Sequence, residues 1–329
     1  MKSKLMKGIK IILIVVVLGI TILLIYVKTA LPNVGEPSDL KIKSTPEMVK
    51  RGEYLANHVM VCMDCHSTRD WSKFSGPISG DNLGCGGELF DQKFGFPGKY
   101  YSRNVTPFNL GKWTDGEIFR TITCGVTKDN RALFPIMPYK YYGQLDEEDI
   151  HAVIAYLRTL PSIENKIPDS EPDFPFNFII NTIPSKGESH KRPSPDDVVA
   201  YGKYMITASG CIECHTKQEK GKMIGEHFAG GFEFNLGNGM VVRSPNITPH
   251  STGLGNWTKE AFVRRFKQYT DSGYVLPSVN MAKGEFQTVM PWTMYAGMET
   301  RDLEAIFEYL QTVKPVESTI VRFEAVAKK

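Results

Sequence analysis

Two stretches of this chain have residue types and spacing suited to holding a metal macrocycle. They are Cys62-Met63-Asp64-Cys65-His66 and Cys211-Ile212-Glu213-Cys214-His215. Two thiols three residues apart lie on one side of a helical turn, where they can add to the two vinyl groups of one porphyrin. The next residue then places an imidazole under the iron. This is the attachment signature of c-type haem, whereas a structural zinc site or a redox dithiol has no need of His directly after the second Cys. The expectation is two covalently attached haem c groups, tethered by Cys62, Cys65, Cys211 and Cys214 and ligated by His66 and His215.

An iron held by one His has an open face, and what fills that face separates electron carriage from chemistry on a bound molecule. Met137 and Met290 are the candidates, each in a Met-Pro-aromatic triplet. A thioether is a soft, neutral ligand that favours ferrous iron and raises the potential. Thirteen Met are present, and most Met residues are core fillers. Their duplicated context sets these two apart. Met294 and Met298 are rivals in the second copy, while Met60 and Met63 sit too near their own motif to reach the far side of the iron. His58, His151, His190, His227 and His250 read as satisfied or exposed side chains. His227 is the first of them to test, because a second His ligand would lower the potential.

Positioning these groups requires a scaffold, and the chain writes one scaffold twice. Gly52-Glu53-Tyr54-Leu55 precedes the first motif and Gly202-Lys203-Tyr204-Met205 the second. Asn104-Val105-Thr106-Pro107 recurs as Asn246-Ile247-Thr248-Pro249, and Gly111-Lys112-Trp113-Thr114 as Gly255-Asn256-Trp257-Thr258. Twelve residues after each Met comes an Asp, Asp149 or Asp302, which opens an apolar pattern. Ile150, Val153, Ile154 and Leu157 answer to Leu303, Ile306, Phe307 and Leu310, at spacings that line one face of a helix. Asp146, Asp149 and Thr300 supply capping groups and negative charge at the helix starts, and Pro161 and Pro315 mark the ends. Few segments read as strands, so the expected fold class is all-α.

The amino terminus has a different character. Ile11 to Val27 is a run of seventeen uncharged residues preceded by four lysines. That is the short limit for crossing a bilayer. Ala30 as the last residue before a cleavage would put Lys28 at the −3 position, a poor site, so the reading is an uncleaved anchor rather than a signal peptide. Lysines before the helix keep its start cytoplasmic and send the rest outward, with Tyr26 and Lys28 at the outer interface. Five lysines and no acid stand in residues 1–30, so a net charge of +3 overall leaves about −2 elsewhere. Nothing argues for nucleic acid. The expected organisation is an anchor over 1–30, one module over 31–160, a linker over 161–195 and a second module with tail over 196–329.

The linker holds Phe174-Pro175-Phe176-Asn177-Phe178-Ile179-Ile180, too apolar to wave in water. The expectation is that it packs across the junction of the modules; the alternative is that it covers the first core alone. The tail from Glu317 has no helical periodicity and no assigned role. Cys85 and Cys124 are left over from the haem motifs and read either as a disulfide or as two buried thiols. Gly84-Cys85-Gly86-Gly87 reads as a loop without counterpart in the second copy, able to shape a docking face. A ligating imidazole needs an acceptor for its other N–H. Pro77 offers a carbonyl for His66, and the stretch Gly225 to Gly231 for His215.

Taken together, the two haem motifs, the Asn-x-Thr-Pro and Gly-x-Trp-Thr pairs, both Met-Pro sites and the Phe-Pro-Phe-Asn linker resemble dihaem and multihaem c-type cytochromes built from tandem class I-like modules. They look most like the cytochrome subunits of membrane-bound bacterial dehydrogenases. The resemblance covers roughly residues 45–315. It implies small helical modules in which the first helix, with Gly52 or Gly202, crosses the last, with Tyr156 or Tyr309. It also implies a single-electron relay on the periplasmic side, from a dehydrogenase donor to a cytochrome or oxidase acceptor. The rival function is a dihaem peroxidase or sulfur-compound oxidoreductase, which needs one open iron. Two departures stand out: such subunits often carry three haems, and they are often anchored differently.

Overall fold

The computed structural model describes residues 2–237 and 239–325. Helix α1 (Lys2–Thr29) stands apart from the body, and its side chains are almost all exposed. Within Lys4–Thr29 its most apolar stretch of eighteen residues has a mean hydropathy of 3.0, so the helix is long and apolar enough to cross a membrane. The first copy follows with α2 (Pro46–Tyr54), α3 (Cys62–Cys65), α4 (Pro107–Leu110), α5 (Asp115–Cys124), α6 (Tyr139–Tyr142) and α7 (Glu147–Thr159). The connection carries α8 (Phe176–Ile179). The second copy has α9 (Val198–Ala208), α10 (Cys211–Cys214), α11 (Lys259–Lys267), α12 (Trp292–Tyr295) and α13 (Thr300–Thr312).

In each copy the first and last helices cross at the repeated glycine. A Cβ on Gly52 would strike the carbonyl of Ala152, and one on Gly202 the carbonyl of Ala305; the next neighbours are the Cβ atoms of Tyr156 and Tyr309. Only hydrogen fits there, so the α2–α7 and α9–α13 pairs approach backbone to backbone. The periodic apolar sets of α7 and α13 are buried as the spacing predicts. Capping follows the sequence only in part. Asp146 caps α7 with its carboxylate on the Glu148 amide at 3.1 Å, but α13 begins at Glu299 without a side-chain cap.

The copies differ by one residue between glycine and haem motif. Ten steps separate Gly52 from Cys62 and nine separate Gly202 from Cys211. The extra residue is absorbed as a π-helical turn over Leu55–Val59, the usual way a helix accommodates an insertion.

The all-α expectation is wrong. The chain is 41% helix and 9% strand, with small sheets between the helices. Strands β1 (Leu89–Phe90), β2 (Gly98–Tyr101) and β3 (Glu171–Pro172) form one antiparallel sheet, and β4 (Gln218–Glu219) pairs with β5 (Lys222–Met223). Strands β6 (Glu233–Asn235), β7 (Val241–Arg243) and β8 (Phe323–Glu324) form a third sheet. Their cause is the long loop between haem motif and Met, whose backbone groups need partners. In both copies the chain leaving the last helix comes back to add the outer strand. The tail therefore has a place, edging the second copy's hairpin through β8.

The linker does not bridge the junction. Its β3 pairs with β2, Phe176 packs on Phe134 with ring centroids 5.5 Å apart, and Lys28 at the end of α1 donates to the Asn177 carbonyl at 2.9 Å. It covers the first copy and meets the outer end of α1. The junction is made instead by polar groups of the helices, reciprocally. Tyr54 donates to Asp302 at 2.5 Å and Tyr204 to Asp149 at 2.7 Å. The same hydroxyls accept the amides of Glu299 and Asp146. Helix α6 packs on α9, and α12 on the π-helical turn, so each post-Met helix faces the first helix of the other copy.

Candidate functional site

Each Cys-x-x-Cys pair forms a single helical turn, α3 or α10, entered through a left-handed residue, Val61 or Gly210. The four thiols are unpaired. Burial pushes the Cys65 thiol up to about 12, with Asp64, Glu88 and Cys214 adding to the rise and Arg69 opposing it. Directly before each motif, a tyrosine from the far side locks the backbone: Tyr142 donates to the Met60 carbonyl at 2.9 Å and Tyr295 to the Ser209 carbonyl at 2.7 Å.

The histidines are oriented alike. His66 Nδ1 lies 2.6 Å from the Arg103 carbonyl and His215 Nδ1 lies 2.9 Å from the Pro245 carbonyl. A carbonyl can only accept, so Nδ1 carries the proton and Nε2 keeps its lone pair. Burial holds both imidazoles below their ordinary pKa, against the opposing pull of the carbonyl, so the neutral ligand form prevails at physiological pH. Neither acceptor is the one the sequence pointed to: Pro77 instead binds the Asp70 amide, and the Gly225–Gly231 stretch does not supply the carbonyl. Arg103 and Pro245 are equivalent, each directly preceding Asn-x-Thr-Pro.

That tetrapeptide explains the placement. Asn104 Oδ1 accepts from the amide and hydroxyl of Thr106, and Asn246 Oδ1 likewise from Thr248. The Asn side chains also reach the chain leaving the last helix, at the Ile163 and Val316 carbonyls. Behind the histidines stand Gly86 and Gly230, whose amides each donate to the His carbonyl at 2.8 Å. Both have a left-handed backbone, with φ of 73° and 76°. A Cβ on Gly86 would meet the Arg103 backbone at 2.6 Å, and one on Gly230 the Pro245 backbone at 2.5 Å. The Gly84–Gly87 loop therefore does have a counterpart, Phe228-Ala229-Gly230-Gly231, and it cradles the histidine.

Met137 and Met290 are half-buried against the apolar core, each just before a short helix, α6 or α12. Met294 and Met298 are buried in the core itself. Beside the two Met-Pro segments, the hydroxyls of Tyr139 and Thr293 are buried without a protein partner. His227 and His190 are exposed. His58, in the π-helical turn, places Nδ1 2.9 Å from the Met294 carbonyl of the other copy. Cys85 and Cys124 are free, buried thiols.

These features fit a haem. Among the described residues no cluster of three or more His, Cys, Asp and Glu is placed to hold a metal ion directly. Free thiols on one turn, an oriented neutral imidazole, and orphaned hydroxyls suited to a porphyrin's polar edge are what a covalent haem needs.

The class this arrangement points to agrees with the comparison of families: residues 199–314, most of the second copy, match the cytochrome c family, and a domain of that family implies covalently bound haem c. The chain is similar to the cytochrome c subunit of a quinone-linked alcohol dehydrogenase of Gluconobacter oxydans, at 27% identity over 67% of this chain and 46% of that protein. It is similar to the cytochrome c subunit of gluconate 2-dehydrogenase of Pantoea cypripedii, at 26% over 68% of this chain and 51% of that one. A dihaem cytochrome c-type protein of Cereibacter sphaeroides matches at 25% over 84% of this chain and 92% of its own length. The chain thus spans about half the length of the dehydrogenase subunits and nearly all of the dihaem protein.

Proposed function

We propose that the chain is a membrane-anchored dihaem cytochrome that relays single electrons. Haem would supply a ferric/ferrous couple at each motif. Cys62 and Cys65 tether one group and Cys211 and Cys214 the other. His66 and Met137 close the first iron, His215 and Met290 the second. Residues 31–160 and 196–329 are read as the two haem domains, with 161–195 between them. The observation that carries this reading is the reproduction of one histidine cradle in both copies: the carbonyl before Asn-x-Thr-Pro, the glycine amide behind the His, and the tyrosine locking the entry to the motif.

The protein's own work is to hold the ligands, exclude water and keep the centres adjacent. The packing of α6 on α9 and of α12 on the π-helical turn, which brings the two copies together next to their motifs, supports transfer between them. Anchoring is supported by α1, whose apolar side chains have no protein to cover them, and by Phe174, 80% exposed beside its outer end. Lysines at the start of α1 support an extracytoplasmic, periplasmic body. By likeness to the dehydrogenase subunits, the donor is a membrane dehydrogenase and the acceptor a downstream cytochrome or oxidase.

Carbon monoxide tests the ligation. With both irons closed by His and Met, adding it to the reduced protein leaves the spectrum nearly unchanged. A prompt, stoichiometric shift in one haem would overturn the relay reading in favour of the peroxidase type of chemistry.

A further inference from the structure

The two Met segments are alike in sequence but not in their surroundings. Around Met290, a loop of the first copy crosses the junction. Ser75 Oγ donates to the Met290 carbonyl at 2.6 Å and accepts from the Trp292 amide at 3.0 Å. The Ser75 amide donates to Gln287 Oε1 at 2.8 Å, and Gln287 Nε2 donates back to the carbonyls of Trp71 and Lys73 at 3.1 and 2.9 Å. Two backbone bonds flank these, from Phe74 to Pro277 and from Val279 to Ser72, at 2.9 and 2.7 Å.

Three features mark this as a built contact. Ser75 and Gln287 are both buried, at 1% and 0% exposure. Ser75 sits at φ 68°, a left-handed conformation that a non-glycine residue keeps only where its surroundings impose it. The contact is also one-sided. Among the described residues, the Met137 carbonyl accepts only from the Tyr139 amide, and no side chain of the second copy reaches it.

We propose that Ser75 is a positioning residue for Met290, through which the first copy sets how firmly the second copy's thioether is held. The hydroxyl fixes the peptide groups on both sides of Pro291, and so the backbone from which the Met290 side chain extends. The inference rests on the reading of Met290 as an axial ligand. It gives two otherwise matching centres different ligand rigidity: one sulfur is held by its own copy, the other in trans.

The test compares Ser75→Gly, Ser75→Ala and Met290→Ala in the full chain with both haems attached. Glycine suits the left-handed backbone, so Ser75→Gly removes the hydroxyl while leaving the loop a conformation it favours. Met290→Ala identifies which part of the near-infrared sulfur-to-ferric-iron band belongs to the second haem. In Ser75→Gly that same component is expected to weaken, and the midpoint of that haem to fall. Carbon monoxide should bind its ferrous form about tenfold faster, with the first haem unchanged. Wild-type band, midpoint and carbon monoxide rate in Ser75→Gly would overturn the proposal, as would an effect confined to Ser75→Ala, which would reduce Ser75 to a loop former. If Met290→Ala itself leaves the band intact, the error lies in the ligand assignment underneath.

Discussion

Tyr204 of the second copy donates its hydroxyl to Asp149 of the first at 2.7 Å, and Tyr54 returns the bond to Asp302. Both carboxylates open the last helix of their own copy, so each copy's final helix is secured by the other's first helix. The two carboxylates are not equally provided for. Asp149 is also gripped by Arg51 and Arg192, whereas Asp302 has Tyr54, Tyr201 and only a distant, exposed Arg301 at 3.6 Å. Burial raises the pKa of Asp302 even against the two hydroxyls. Tyr54→Phe should therefore cost more than Tyr204→Phe, about 2 kcal/mol against about 1 kcal/mol. Thermal unfolding followed in the haem absorption measures both; an equal or reversed order would mean the arginines do not compensate Asp149.

The crossing glycines set a second expectation. Gly52→Ala or Gly202→Ala forces a methyl group into a carbonyl of the facing helix, and about 3 kcal/mol of stability should be lost. Gly273, with open space around its virtual Cβ, is the control and should tolerate Ala. Denaturant titrations of the three variants separate the cases.

The histidine cradle ties structure to potential. In Gly230→Ala the new Cβ displaces the Pro245 carbonyl, and His215 loses the acceptor that makes it a more basic ligand. A less basic imidazole stabilises ferric iron less, so the midpoint of the second haem should rise while the first stays fixed. Gly86→Ala, acting on Arg103, should raise the first instead. Redox titration of each variant decides; a shift in the wrong haem would break the assignment.

Acid should act through Asp146. Burial alone would raise this carboxyl, but the amides of Arg192 and Glu148 and the Lys191 ammonium hold it below the ordinary value of 3.8. Its stabilisation is then fully present above 3.8 and disappears as the pH falls below that value. Asp146→Ala should cost about 1 kcal/mol near neutrality, with the difference from wild type shrinking below pH 4. Paired melts across that range would show a constant gap if the carboxylate were not the stabilising species.

The scaffold is legible in this sequence because it depends on side chains at fixed spacing: the helical turns of the two Cys-His motifs, Gly52 and Gly202, Asp149 and Asp302. The histidine acceptors were not, because a backbone carbonyl has no residue type of its own. Only the position just before Asn-x-Thr-Pro, shared by Arg103 and Pro245, could have revealed them. The strands were missed for a related reason. Segments such as Leu89–Phe90 and Phe323–Glu324 are too short to show alternation, and they exist because a long loop needs backbone partners. The linker was misplaced because its apolar residues say that it must be covered, not by what; Phe134 and the end of α1 cover it.

The central claim is that both copies carry a haem closed by His and Met. A spectroelectrochemical titration of the intact chain, with the near-infrared sulfur-to-iron band recorded alongside, tests it most directly. The account predicts two one-electron waves per chain, with that band present for both centres, one component vanishing in Met137→Ala and the other in Met290→Ala. A single wave, or a spectrum and midpoints unmoved by both substitutions, would contradict it.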